Sequence, residues 1–494
     1  VEASLIEVEV HLGRGLPGFH LVGLPETTVK ESKDRVRSAI INSGFEFPAQ
    51  RITVNLAPAD IPKGGGSFDL AIAIGILVAS EQIPVKSLDE FEFIGELALS
   101  GELRHVNGVL PISVAVSHQN RALVLPLACA EEASMIKKAE IYGASNLWQI
   151  YMHLAEKERI LRTQYCLPKP DVDALPTAKD LTDVKQQALA KRALVIAAAG
   201  QHNLLLFGPP GTGKSMLAQR IIDLLPALTE QEAIEAACIH SISGNSRSKD
   251  NWFKRPFRQP HHSSSSISLV GGGANPKPGE ITLAHNGVLF LDELPEFGRQ
   301  VLDALREPLE AGEIFLSRAR YKVHYPAKFQ LIAALNPSPT GDIDDGRSNH
   351  DQILKYLNKI SGPFLDRIDM QVQVPKLNIQ QDLEGANDSS ITSRDAFTLV
   401  ARSVKVQIKR QGCLNAKLCG KLLEQHCYLQ KEPRQFFHYA IEQLSISMRA
   451  YHRILRVART IADLEGADNI ERTHLSEALQ YRNFDRFLRQ VSES

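Results

Sequence analysis

Gly208-Pro209-Pro210-Gly211-Thr212-Gly213-Lys214-Ser215 fills every fixed position of the phosphate-binding pattern G-x-x-x-x-G-K-[ST]. An apolar run, Asn203-Leu204-Leu205-Leu206-Phe207, precedes it and reads as a buried strand. Met216-Leu217-Ala218-Gln219-Arg220-Ile221-Ile222 follows and reads as a helix. In that order, backbone N–H groups and a helix N-terminus turn toward phosphate oxygens. Lys214 is then expected to reach the β- and γ-phosphates of ATP, and Ser215 to hold Mg2+.

A second element supports this reading. Val288-Leu289-Phe290-Leu291-Asp292-Glu293 is an apolar strand ending in two carboxylates. Asp292 is expected in the Mg2+ shell, and Glu293 to orient and polarise the attacking water. Phe329 to Leu335 reads as another strand, ending in Asn336-Pro337. A polar side chain at such a strand tip can touch the γ-phosphate, although Asn is also a turn former. In Asp366-Arg367-Ile368-Asp369 the arginine sits between two acids. It is either a local salt bridge or a cation for a neighbouring subunit's phosphate. Ser445-Ile446-Ser447-Met448-Arg449 opens a helix. Residues 181–380 alternate strands and helices, the pattern of a parallel sheet covered by helices on both faces.

The 494 residues, 43% hydrophobic and 23% charged, suit a globular chain of several domains. The net charge of −1 gives no electrostatic hint of a partner. Residues 401–494 hold 16 Lys+Arg against 10 Asp+Glu, a mild basic bias that fits a solvated helical face or a nucleic-acid contact equally. The six cysteines show no C-x-x-C pair, which argues against a disulfide framework and suits a reducing cytoplasm. Cys413, Cys419, His426 and Cys427 match none of the usual zinc spacings. No apolar run reaches membrane-spanning length and no secretory signal is visible. The chain opens at Val1 without Met, so a few residues are expected to precede it.

Residues 1–165 mix strand-like and helix-like pieces, an α+β domain. Strands are expected at Leu5–Val10, Arg51–Leu56 and Phe91–Ile94, and helices over Thr27–Asn42 and Phe68–Ser80. Residues 166–180 carry Pro168, Pro170 and Pro176 and read as a linker. A helix is expected over Val184–Ala199 before the loop strand. Residues 181–385 are the expected α/β core, and 386–494 an all-helical domain. Gly341–Asn349 and Gly385–Ser390 read as polar loops.

Arg258-Gln259-Pro260-His261-His262-Ser263, Gly271-Gly272-Gly273, Pro278-Gly279-Glu280-Ile281 and Ala284-His285-Asn286-Gly287 resemble the magnesium-chelatase-like AAA+ family. Gly15-Leu16-Pro17-Gly18-Phe19, Val22-Gly23-Leu24-Pro25-Glu26 and Arg449-Ala450-Tyr451-His452-Arg453-Ile454-Leu455 are similar to its ComM/YifB branch. The resemblance spans nearly the whole chain. It implies an AAA+ core with a helix-2 insert near 255–283, a pre-sensor-1 hairpin over Glu313–Lys328 and a C-terminal helical lid. It further implies a homo-hexamer, with Asn336 as sensor 1, Arg367 as arginine finger and Arg449 as sensor 2. Ile314-Phe315-Leu316 and Val323-His324-Tyr325 read as two strands around a basic turn. Arg318, Arg320 and Lys322 there, with Ser263 and Ser264 of the insert, are candidate contacts to single-stranded and branched DNA, gripping phosphates without reading sequence. His261 and His262 beside the insert fit structural or DNA-contact roles equally.

The N-terminal block resembles the Lon-protease proteolytic domain. Pro62-Lys63-Gly64-Gly65-Gly66-Ser67 lines up with the segment carrying that family's nucleophile, but its catalytic lysine position is Leu110 here. A serine without a nearby base is a poor nucleophile, so no peptidase activity is expected. Where relatives carry cysteine pairs after Asn336, this chain has Ser338, Thr340, Ser348 and His350, so no zinc is expected.

The resemblance implies a cytoplasmic ATP-driven helicase promoting branch migration during natural transformation. A metal-chelatase motor acting on a tetrapyrrole and a protein unfoldase are the alternatives. The Lon-like block and the lack of a metal-binding domain weigh against the first. No aromatic-glycine pore loop supports the second.

Overall fold

Arg51–Ala57 alternates by residue, and that alternation sets one sheet: Ile52, Val54 and Leu56 are buried, while the residues between them face outward. The computed structural model describes residues 2–83, 88–165, 167, 179–273, 276–317, 322–341, 349–376, 391–444, 446–484 and 487–488. The chain divides into two compact units, Val1–Lys169 with Ala237–Trp252, and Pro170–Ala236 with Phe253–Ser494.

In the first unit, Arg51–Ala57 lies between Glu7–Gly13, antiparallel to it, and Gly18–Val22, parallel to it. Helices Ser32–Asn42 and Asp69–Ala79 bury Val36, Ala39, Leu70, Ile72 and Ile76 in the same core. A second sheet pairs Phe91–Phe93, Ala122–Pro126 and Glu140–Ala144 in parallel. The expected single helix over Thr27–Asn42 is two, Thr27–Lys30 and Ser32–Asn42. At the break, Ser32 Oγ donates to the Val29 carbonyl at 2.7 Å, taking an acceptor that a continuous helix would use. Residues 237–252 group with this unit: the Gly108 N–H donates to the Ser241 carbonyl at 3.1 Å, and Lys249 pairs with Glu131 at 2.7 Å.

In the second unit, five strands form a parallel sheet in the order Phe257–Arg258, Val288–Leu291, Gln330–Leu335, Leu204–Phe207, Met370–Gln373. Covered on both faces, the inner strands read as unbroken apolar runs. Their residues still divide by face. Leu204, Leu206, Phe290, Ile332 and Ala334 pack with helix Ala188–Gly200 and the C-terminal helices. Leu205, Phe207, Leu289, Leu291 and Leu331 pack with Phe297, Leu302, Ile314 and Phe364. Leu204–Phe207 is followed in sequence by strands on one side of it and then the other. The crevice beyond its C-terminal end is therefore a topological switch point, where open α/β sheets bind ligands.

Helices Ser393–Gln411, Gly420–His426, Lys431–Leu444, Met448–Glu465 and Arg472–Gln480 make the C-terminal part of this unit. The helix expected over Val184–Ala199 starts later, at Ala188. Gln186 and Gln187 are left-handed (φ 53° and 57°), and Gln187 Nε2 donates to the Pro375 carbonyl at 2.8 Å. The expected linker falls at 166 and 168–178, and the expected polar loops at 342–348 and 385–390, outside the described residues. Arg318, Arg320 and Ser348 lie outside the described residues, and so does the side chain of Lys322.

Candidate nucleotide-binding site

The loop between Leu204–Phe207 and helix Lys214–Leu224 needs its glycines for stated reasons. A Cβ on Gly208 would stand 2.1 Å from the Val374 carbonyl oxygen, just past the neighbouring strand Met370–Gln373. Gly213, at φ 88°, turns the chain into the helix from the left-handed region. Above Gly211 a Cβ would meet nothing within 4 Å, so that side of the loop is open.

Lys214 is the first helical residue and is buried. Its Nζ donates to the carbonyls of Gly208 and Pro209, each at 2.7 Å. Burial pushes its pKa down to about 8, against a smaller opposing pull from the Asp292 carboxylate. Thr212 Oγ1 closes the turn by donating to the Pro209 carbonyl at 3.0 Å.

Ser215 Oγ donates to Asp292 Oδ2 at 2.6 Å, which brings the two sequence motifs together. The Glu293 N–H donates to Asp292 Oδ1 at 3.0 Å, with Glu293 in the left-handed region (φ 54°). The Glu293 carboxylate is half exposed, and its Oε2 lies 3.2 Å from His262 Nδ1. Asn336 follows Gln330–Leu335, whose Leu335 pairs with Phe207, so Asn336 and Gly208 stand at adjacent strand ends.

The remaining sequence candidates are placed differently. Arg367 is only 8% exposed and is held within its own chain. Its Nη2 lies 2.5 Å from Glu310 Oε1, its Nε donates to the Arg306 carbonyl at 3.2 Å, and its Nη1 donates to the Pro363 carbonyl. Arg449 is exposed in the first turn of helix Met448–Glu465. Ser263 is exposed and Ser264 half-buried in the turn after His262, where Ser263 Oγ lies 2.8 Å from His261 Nδ1.

Three partnerships were not read from sequence. His262–Glu293 depends on Phe257–Arg258 lying beside Val288–Leu291, and a two-residue strand carries no periodicity. Glu310–Arg367 joins a helix to a turn distant in sequence. Arg453 Nη1 pairs with buried Asp369 at 2.7 Å.

The residues fit a magnesium nucleotide. Ser215 and Asp292 offer hard oxygen donors side by side, and the glycine loop is open above a buried ammonium. Comparison with known proteins agrees. Residues 180–382 match the family described as magnesium chelatase, subunit ChlI. Residues 8–128 match subunit ChlI of Mg-chelatase, and 390–482 the ChlI C-terminal family. Competence protein ComM of Haemophilus influenzae is 52% identical over 100% of this chain and 97% of its own length. The chain belongs to the ComM/YifB family of magnesium-chelatase-like AAA+ proteins. YifB of Escherichia coli is 50% identical over 99% of this chain and 96% of its own. The magnesium-chelatase 38 kDa subunit of Cereibacter sphaeroides is 25% identical over 58% of this chain and 86% of its own. Membership of this AAA+ family implies the use of ATP and Mg2+, in keeping with the donors at Ser215 and Asp292. Among the described residues no helix is long and apolar enough to cross a membrane.

Proposed function

We propose that this chain hydrolyses ATP to drive DNA through a ring of six copies, promoting branch migration of recombination intermediates in natural transformation. The observation that carries the ATPase half is the junction of Lys214, Ser215, Asp292 and Glu293 at one crevice. The DNA half rests on similarity over the full length to a protein named for competence.

In this reading the loop amides and Lys214 bind and orient the phosphates. Ser215 and Asp292 hold the metal, and Glu293 aligns the attacking water and accepts its proton. Mg2+–ATP, when bound, supplies the phosphoryl group and offsets its charge. Asn336, at the adjacent strand end, touches the γ-phosphate. Arg449 contacts the nucleotide from the helical lid, and Arg367 leaves Glu310 to complete the site of the next subunit. Residues 255–283 act as the helix-2 insert and Glu313–Lys328 as the pre-sensor-1 hairpin. The hairpin and Ser263–Ser264 grip DNA.

The first unit is an interaction module related to the Lon proteolytic domain. Leu110, where that family carries its lysine, is fully buried, which supports a loss of peptidase chemistry. The test is a synthetic four-way junction incubated with the protein and ATP. Branch migration that requires hydrolysis is expected. Junctions left intact, beside conversion of a tetrapyrrole by a chelatase mixture containing the chain, would favour the chelatase reading instead.

A further inference from the structure

The strands Glu313–Ser317 and Lys322–Pro326 form an antiparallel ladder in which Phe315 stands directly opposite His324. The two faces of this ribbon differ. Ile314 and Tyr325 are buried in the core, and the Tyr325 hydroxyl donates to the Pro276 carbonyl at 2.9 Å. On the other face Phe315 is 61% exposed. It lies flat on the His324 imidazole, with centroids 4.6 Å apart and planes 12° apart. His324 is in turn fixed, its Nε2 2.8 Å from Glu313 Oε2.

An exposed phenyl ring held flat by an anchored imidazole is a preformed π surface, and its ordering cost is met before any partner arrives. Every nucleobase has a π face, so such a surface accepts unpaired bases without selecting sequence. The sequence joining the strands, Arg318-Ala319-Arg320-Tyr321, supplies charge of the sign that a nucleic-acid backbone needs.

We propose that Phe315, backed by His324, is a stacking platform for unpaired bases of single-stranded DNA. This rests on the DNA-motor reading and adds a contact to the bases, distinct from the phosphate contacts.

The test is fluorescence anisotropy of the full chain, with a non-hydrolysable ATP analogue, on two labelled strands. One is an oligothymidylate and the other an abasic strand of equal length. Phe315→Ala is expected to weaken oligothymidylate binding about 5- to 100-fold. Abasic binding and the salt dependence should change little, because stacking releases no counterions. Phe315→Tyr should restore affinity, and His324→Ala should lose part of it. Thermal melting of each variant controls for folding. Equal loss on both strands, or no loss on either, would overturn the platform while leaving the motor reading intact. If the unaltered chain bound neither strand, the DNA reading and the platform would fall together.

Discussion

Ser215 Oγ donates to Asp292 Oδ2 at 2.6 Å, joining the first turn of a helix to a strand end 77 residues later. Beside it, Lys214 spends its ammonium on two loop carbonyls. Phosphate oxygens offer that ammonium a stronger partner. Lys214→Ala is expected to cut ATP turnover by about 10²–10³-fold, the cost of removing one preorganised donor. Because burial holds the lysine down to about 8, apparent ATP affinity in the wild type should fall as pH rises through that value and the charge is lost. Steady-state ATPase assays measure the first effect, and titration with a fluorescent ATP analogue across this range measures the second. Affinity that rose with pH would contradict the assignment.

His262 holds the Glu293 carboxylate at 3.2 Å, in a pair that is partly exposed on both sides. Such a pair is worth at most about 1 kcal/mol. Releasing it is expected to raise DNA-independent turnover by up to about fivefold in His262→Ala, with KM for ATP unchanged. His262→Asn, which keeps a donor, should stay near wild type. Steady-state kinetics on both variants separate these outcomes, and a large loss of turnover in His262→Ala would assign the residue a different role.

Arg367 faces its own Glu310, so service to a neighbouring site requires this pair to open. Arg367→Ala alone should be inactive, with a loss of about 10³-fold or more. Mixing it with Glu293→Gln protein should restore turnover, since some interfaces then pair an intact Glu293 with an intact Arg367. No recovery on mixing would place the arginine's action within one chain.

A buried network ties the sheet to helix Met448–Glu465. Asp369 accepts from the Asn203 N–H at 2.9 Å and pairs with Arg453 at 2.7 Å. Arg453→Ala leaves that carboxylate buried without its cation and should cost about 3 kcal/mol or more. His202 touches Thr460 at 2.7 Å in the same network, and burial pushes its pKa down to about 4, with the Asp369 carboxylate opposing less strongly. The unfolded chain takes up a proton near the ordinary histidine value, which the folded chain refuses. Stability should therefore fall as pH drops from about 6.5 toward about 4, by up to about 3 kcal/mol. Urea unfolding across this window checks the slope, and His202→Gln should flatten it.

The central strands were legible because a strand covered on both faces is an apolar run, as in Leu204–Phe207 and Val288–Leu291. The flanking strands were not. Met370–Gln373 contains Gln371, which is fully buried and donates its N–H to the Tyr481 carbonyl at 2.6 Å. Tertiary hydrogen bonding, invisible in sequence, makes that residue a core position. At the site, the loop, Asp292 and Glu293 were readable because a fixed chemistry demands fixed spacing. His262 was not assigned to Glu293, because that contact follows from strand order. The Phe315–His324 stack needed the ladder register to be seen, although both residues had been placed on strands.

The measurement that tests the central claim most directly is the ATPase rate with and without single-stranded, duplex and four-way-junction DNA, with Glu293→Gln as control. The account predicts strong stimulation by DNA that vanishes in the variant. A rate indifferent to every DNA would contradict a DNA motor and turn the search to protein or tetrapyrrole partners.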